Sequence, residues 1–312
     1  VKLKKILNNY GSKKEPFFFM ISYNLQDYEV IPLKDIPKNI QYEINTKIGS
    51  SNKNKSIEKK PISYDNYLTK FNTIQSEIKN GNTYLINLTT PTKINTKLEL
   101  KNIYDNANSK YKLFYKNQFI CFSPESFCII NENKIFTYPM KGTIDANIKD
   151  AKNTILKDEK ELAEHTMVVD LLRNDLSIVA KKVKVEEFRY CEKIKAGKKE
   201  LFQISSKISG ELENNWQNRI GDIITSLLPA GSITGTPKKK TVQIIDEVEK
   251  YERGYFTGIF GIFDGESIDS AVMIRFIEKN NENYIYKSGG GITCDSDPQK
   301  EYQEMLDKVY IP

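Results

Sequence analysis

Histidine is almost missing: His165 is the one imidazole in 312 residues. A glutaminase built on a Cys–His pair would have to recruit that side chain from inside an acidic stretch, so the pattern gives no support for that chemistry. Cysteine is scarce as well. Cys121, Cys128, Cys191 and Cys294 have no paired spacing and sit in apolar or mixed runs, which argues against a zinc site or a disulfide framework and suits a reducing cytoplasm. No run of about 18 apolar residues is present to span a membrane, and the apolar run within residues 1–9 is too short for a signal peptide. A strong charge of one sign is lacking too. The 47 basic and 41 acidic residues leave +6, too little and too dispersed for a nucleic-acid surface, although it favours the approach of a small anion. Neither Gly-x-Gly-x-x-Gly nor Gly-x-x-x-x-Gly-Lys-Ser/Thr occurs, which removes the dinucleotide and P-loop fingerprints. No repeat period is evident.

What is present suits a soluble globular chain long enough to bury a sizeable core. Heavy use of Lys, Asn and Ile reads as a habit of the source. The apolar run Phe17-Phe18-Phe19-Met20-Ile21 predicts a buried strand within residues 16–24, and residues 50–60, rich in Ser, Asn and Lys, read as an exposed connector. Ser63 reads as the N-cap of a helix carrying Tyr67, Phe71, Ile74 and Ile78 at helical spacing, closed by Gly81. Strands are expected at 83–90, 111–122, 127–130, 134–138, 258–263, 270–278 and 284–287, with a β-rich stretch over 178–210. Helices are expected around 216–228 and 237–250, and from Pro298 to about Val309. Strand runs joined by short turns, with helices grouped between them, argue α+β with mixed or antiparallel sheets.

Two Glu-x-x-Glu pairs stand out: Glu161 with Glu164, and Glu301 with Glu304. Residues three apart share a helix face, so each pair sets like charges side by side at a cost of roughly 0.2–0.5 kcal/mol. A divalent cation between the helices would turn that cost into binding, and hard carboxylate oxygens suit Mg²⁺. Each pair also has an ordinary reading as a solvated helix face. Asp158 with Glu161 reads as a capping box, a competing structural role for Glu161. Asp297-Pro298 supplies a cap and an N1 proline. In the last helix Tyr302, Met305, Leu306 and Val309 form the apolar stripe, leaving Glu301, Glu304 and Lys308 on another face.

Between the pairs lie two glycine-rich segments. Residues 229–238 run into a helix expected to be capped by Thr236, a place where backbone N–H groups favour an anion. Gly289-Gly290-Gly291 offers bare backbone to a ligand, or forms a plain loop tip. Arg275 interrupts the apolar run Ala271-Val272-Met273-Ile274 and is expected to project with Ala271 and Met273. It needs a structural acid or a substrate carboxylate. Lys141, in Pro139-Met140-Lys141-Gly142-Thr143, becomes a candidate nucleophile or base if burial lowers its pKa. Glu125, between apolar strands, is a candidate general acid with a raised pKa.

In chain order these segments resemble the chorismate-utilising enzymes: anthranilate synthase component I, aminodeoxychorismate synthase component I, isochorismate synthase and salicylate synthase. The matching blocks are Ser123-Pro124-Glu125, Pro139 to Thr143, Ala163 to Asp175, Pro229 to Lys238, Ile274-Arg275 and Gly289 to Glu304. The resemblance implies a chorismate-binding catalytic domain over 61–312, made of two packed antiparallel sheets flanked by helices, with 1–60 a short strand and linker segment packed on it. It implies Mg²⁺ held by Glu164 and Glu304, supported by Glu161 and Glu301, and gripping the ring carboxylate of chorismate. Ser232, Thr234 and the backbone of Gly289, Gly290 and Gly291 would assist. Arg275 would take the enolpyruvyl carboxylate.

Lysine at 141 resembles aminodeoxychorismate synthase component I, since anthranilate synthases carry alanine there. The implied reaction is amination of chorismate at ring position 4, the first step toward 4-aminobenzoate and folate, with Lys141 as nucleophile and Glu125 as acid. A separate glutamine amidotransferase subunit would supply ammonia. The rivals are anthranilate synthase component I, isochorismate or salicylate formation, and a non-catalytic anion- or nucleic-acid-binding protein. Gln203 stands where many relatives have His, and Ile262 where many have Tyr near the enolpyruvyl group.

Overall fold

The computed structural model describes residues 2–46, 57–196, 199–281 and 283–311. Two sheets make up the core, with nine and eight strands among the described residues, and every pairing among those residues is antiparallel. The first runs Met140–Asp145, Lys199–Glu211, Lys134–Thr137, Ser126–Asn131, Ile268–Val272, Ile259–Phe263, Phe17–Ile21 and Tyr28–Pro32, with Lys181–Ala196 beside Lys199–Glu211. The second runs Gly235–Thr236, Leu85–Asn95, Asn283–Ile292, Phe276–Asn280, Phe119–Ser123, Tyr111–Tyr115 and Ile40–Glu43, with Glu58–Lys60 beside Leu85–Asn95. Most of the expected 50–60 connector lies outside the described residues.

The run Phe17–Ile21 explains how the layers form. Successive strand side chains point to opposite faces, and both faces of this strand are covered. Phe18 and Met20 join Phe260 and Ala271 in meeting Tyr111, Leu113, Cys121 and Phe276 of the other sheet. Phe17, Phe19 and Ile21 turn the other way, onto Leu176, Trp216 and Ile220 in the helical layer. All five side chains are buried, and each such burial contributes about 1.5–3 kcal/mol. The segment before residue 61 is therefore woven into both sheets, through Phe17–Ile21 in one and Ile40–Glu43 in the other. An additional helix, Lys2–Ser12, packs on Ile220–Leu227, where Asn8 donates to Asp222 at 2.7 Å and accepts from the Gly221 amide at 2.7 Å.

The helix expected after Ser63 is Tyr64–Lys79. Ser63 accepts from the Asn66 amide, and Gly81 follows the end at φ +75°. Three expectations change. The 111–122 strand is a hairpin, Tyr111–Tyr115 paired with Phe119–Ser123. The 270–278 strand is broken: Ile268–Val272 belongs to one sheet and Phe276–Asn280 to the other, with Arg275 at φ +52° between them. Arg275 therefore sits on a crossover and not on the Ala271–Met273 face. Thr236 is not a cap either. It pairs with Leu85 in a short strand, Pro237 is the N-cap residue of helix Lys238–Glu249, and no side chain caps that end. Residues 123–126 form a second crossover, from Phe119–Ser123 in one sheet to Ser126–Asn131 in the other. Glu125 and Arg275 thus lie on the same seam, where the Val272 amide bonds the Glu125 carbonyl at 3.2 Å. Among the described residues no helix is long and apolar enough to cross a membrane.

Candidate active site

A cavity of about 310 Å³ opens at this seam, within the size range of small-molecule sites. Lys141, Glu125, Arg275, Ser232, Gly289, Gly291 and Glu304 all line it, from six separate stretches of chain. Gln203 lines it as well. Gly290, Glu161, Glu164 and Glu301 are not part of its wall, and two expected substrate contacts fall elsewhere. Thr234 is fully buried, with its hydroxyl donating to the Ala230 carbonyl at 2.8 Å. Ile262 stands in the sheet opposite Phe18 and Asp269, outside the cavity wall.

The first acidic helix, Glu159–Ser177, begins where Asp158 accepts from the Glu161 amide at 2.9 Å. That is the forward half of the expected capping box. The Glu161 side chain is left over, and its Oε2 is buried without a hydrogen-bond partner. It lies against Gly142, where an added Cβ would come within 2.8 Å of that oxygen and where φ is +86°. The positive φ is what favours glycine after Lys141, since the carboxylate tip could move aside. Glu164 is buried and accepts from Lys141 Nζ at 2.7 Å, with Lys160 Nζ at 3.6 Å on its other oxygen.

The second acidic helix, Pro298–Asp307, starts with Asp297 accepting from the Lys300 amide at 2.9 Å and with Pro298 in its first turn. Glu301 is buried and accepts from Ser296 Oγ at 2.8 Å. Glu304 pairs with Lys308 at 2.6 Å, and Lys308 also donates to the Gly289 carbonyl at 2.8 Å. The glycine triplet is not a loop tip, since it lies inside strand Asn283–Ile292, facing Leu85–Asn95. A Cβ on Gly289 would meet the Leu88 carbonyl at 2.1 Å. One on Gly290 would stand 3.5 Å from Glu301 Oε2 and 3.8 Å from Glu304 Oε1, and one on Gly291 would stand 3.9 Å from Lys141 Nζ. Absence of a side chain at Gly290 leaves the second acidic helix facing bare backbone.

The charges are tightly linked. Burial pushes the Lys141 pKa down, but Glu164, then Glu304 and Glu161, outweigh it and leave the amine above its ordinary value. The free amine expected from burial alone is therefore not what this arrangement holds: Lys141 is an ammonium gripped by carboxylates. Burial raises Glu161, with Glu164 adding to it, and burial raises Glu301, with Glu304 adding to it. Glu304 is lowered, because Lys308 and Lys141 overcome the effect of burial. Lys308 is lowered by burial in spite of Glu304.

Among the described residues no three acidic, histidine or cysteine side chains already stand at ligand spacing. The donors nonetheless fit a hard divalent cation. Four carboxylates converge there against Lys141, Lys160 and Lys308, and a buried carboxylate oxygen of Glu161 has no hydrogen-bond partner.

On the far wall Glu125 accepts a short hydrogen bond from Ser232 Oγ. Burial raises its pKa against the opposing effects of Ser232, Lys308 and Arg275, which suits a carboxyl that must hold a proton near neutrality. Arg275 rests its guanidinium 5.5 Å from the Tyr310 ring centroid, and its Nε–H is buried without a partner. Among the described residues no acidic side chain forms an ion pair with it.

Sequence reasoning missed two groups. Lys308 was visible as the i+4 partner of Glu304. Glu249 and Arg253, also four apart, form a fully buried ion pair behind the cavity. Arg253 bonds the Ile233 and Asn87 carbonyls at 2.9 and 2.8 Å, and Glu249 takes the Thr89 amide at 2.7 Å.

Comparison with known proteins bears on this arrangement. A model of the family described as chorismate binding enzyme matches residues 9–312. An uncharacterized PabA-like protein of Haemophilus influenzae is 49% identical over 310 residues, covering 98% of this chain and 94% of that protein. Aminodeoxychorismate synthase component 1 of Bacillus subtilis is 32% identical over 265 residues, covering 80% of this chain and 55% of its own length. Among solved structures, anthranilate synthase component I from Streptococcus pneumoniae superposes with a TM-score of 0.69 at 26% identity, over 84% of this chain and 60% of that one.

Proposed function

We propose that this chain, which belongs to the chorismate-binding enzyme family, aminates chorismate at ring position 4 to give 4-amino-4-deoxychorismate. The observation that carries the reading is Lys141. A primary amine stands in the wall of the same cavity as a carboxyl with a raised pKa, Glu125, and an arginine with an unpartnered N–H. Arg275 takes the enolpyruvyl carboxylate through that free donor. Glu164 and Glu304, with Glu161 and Glu301 behind them, would hold Mg²⁺, which would supply positive charge for the ring carboxylate.

Lys141 must lose a proton before it attacks, and its 2.7 Å hydrogen bond to Glu164 is the route open to that proton. The amine lone pair then bonds ring carbon 2, the ring double bonds shift, and the bond from carbon 4 to its hydroxyl breaks. Glu125 gives its proton to the departing oxygen, which leaves as water. Ammonia bonds carbon 4, the double bonds shift back, and the electron pair of the carbon 2–nitrogen bond returns to Lys141. The enolpyruvyl ether is untouched. Holding the ring at both carboxylates makes these steps intramolecular, which is where much of the acceleration arises.

Ammonia comes from a glutamine amidotransferase partner. His165 is buried with Nε2 2.7 Å from Ser206 Oγ, and the four cysteines are free with no bond to it among the described residues. The test is incubation with chorismate, Mg²⁺ and ammonium, followed by separation of the products. Aminodeoxychorismate without pyruvate is expected; anthranilate with pyruvate would replace this reading by anthranilate synthesis. Product formed without ammonium would point to isochorismate or salicylate chemistry.

A further inference from the structure

Two residues in the wall of the main cavity carry a buried polar atom without a hydrogen-bond partner: Arg275 at Nε and Tyr286 at its hydroxyl. Tyr286 stands in strand Asn283–Ile292, just before the glycine triplet, and is fully buried. Its ring packs among Phe114, Ile120, Ile277 and Val309, so the phenol has little freedom to turn toward another partner. Burial pushes its pKa up, so the oxygen keeps its proton and can donate it. The Arg275 guanidinium and the Tyr310 side chain and backbone act on it, and none of them closes a hydrogen bond with it. The Arg275 charge and the Tyr310 backbone both favour negative charge on that oxygen. They are donors, and what this corner of the wall lacks is an acceptor. A buried donor left unsatisfied is costly and rare in native proteins. Two of them beside one cation make a demand that a carboxylate meets, with two acceptor oxygens and a negative charge.

We infer that Tyr286 is a substrate-binding residue: its O–H and the Arg275 Nε–H together hold the carboxylate on the enolpyruvyl arm of the substrate. The inference rests on the chorismate reading above, and it gives a role to a position that the family resemblance leaves without one. The two contacts differ in kind. Arginine supplies charge, whereas the phenol supplies a neutral donor aimed by the packing of its ring. The arm carries no reacting atom in the amination, so both donors meet the same carboxylate in the substrate, in the transition states and in the product. The hydroxyl therefore contributes to affinity and leaves the chemical barrier nearly unchanged.

Tyr286→Phe removes this one oxygen and keeps the ring in its packing. Dissociation constants for chorismate are measured with Mg²⁺ and without ammonium, kinetic constants with ammonium, and melting temperatures without substrate. Kd and the KM for chorismate are both expected to rise about tenfold to a hundredfold, the difference made by one hydrogen bond to a charged group. The kcat is expected to stay within about threefold. The substrate-free variant is expected to melt at the same temperature or higher, because the hydroxyl it loses has no partner until substrate arrives. A Kd and KM within about twofold of the unaltered values overturn the role of Tyr286. A rise that comes with a lower melting temperature overturns it too, since the hydroxyl would then be a support of the fold. An unaltered protein that binds chorismate but forms no aminated product overturns the reaction alone, because the Kd comparison needs no turnover and still decides the role of Tyr286. An unaltered protein that does not bind chorismate overturns both.

Discussion

Replacing Arg253 by Met should cost this protein about 3–5 kcal/mol, the penalty for leaving one member of a buried ion pair alone. Arg253 and Glu249 are both about 1% exposed, joined by Nη2–Oε1 at 2.6 Å and Nε–Oε2 at 2.8 Å. Arg253 also closes the Ile233 and Asn87 carbonyls and lies 4.7 Å from the Tyr23 ring centroid. Methionine fills part of the volume but answers none of these groups, so the buried Glu249 carboxylate loses its counter-charge, keeping only its bonds from Thr89, and two carbonyls lose the Arg253 donor. Since an entire domain is stable by only about 5–15 kcal/mol, the loss should be plain in urea as a lower midpoint with an unchanged slope. Glu249→Gln combined with Arg253→Met should depart from additivity by at least about 1 kcal/mol, because the two partners share one network. Asn87, Thr89 and Ile233 belong to the cavity wall, so the KM for chorismate should rise in the single variant below its unfolding midpoint. A loss under about 1 kcal/mol, or strict additivity of the two substitutions, would refute the claim that this pair braces the wall.

Lys141→Ala, assayed with ammonium, should lose amination by roughly 10³-fold or more while retaining its unfolding free energy in urea within about 1 kcal/mol; near-normal turnover would remove lysine from the chemistry. The Glu125 carboxyl is raised by burial against Ser232, so kcat/KM for chorismate should fall as pH rises through that raised pKa and the acid is lost. Glu125→Gln should cost about 10²–10⁴-fold and erase that limb. Ser232→Ala removes a bond that lowers the pKa, so the limb should move to higher pH; movement to lower pH would contradict the sign. Mg²⁺ at about 100 times its Kd should add about 2.7 kcal/mol of stability, seen as a higher melting temperature that Glu164→Gln abolishes. An identical shift in Glu164→Gln would disconnect this carboxylate from the cation.

What could be read in the sequence and what could not divide along a physical line. Caps at Ser63, Asp158 and Asp297 are local chemistry, and each accepts the amide its position calls for. The five apolar residues of Phe17–Ile21 announced a strand covered on both faces because no partner is needed to see that neither face tolerates water. The glycines at 289–291 drew attention, but the reason for Gly289 lies in another strand: the Leu88 carbonyl approaches too closely for a Cβ. The break at Arg275 left no local mark. Residues on both sides of it are buried, so the apolar run continues through the point where the chain leaves one sheet for the other, and an arginine, not a glycine, takes the positive φ. Lys141 misled in the opposite sense. Burial alone argues for a neutral amine, and only the carboxylates brought in from two distant helices reverse the direction. The seam is thus the one feature no window of sequence contains. Glu125 and Arg275 are separated by 150 positions, yet each sits where its strand changes sheets, and the cavity exists because two such crossings lie side by side. Straightening either crossing into a continuous strand would return its side chain to a sheet face and close the space between the layers. The chemistry therefore depends on the irregularity of the sandwich more than on its regular pairing.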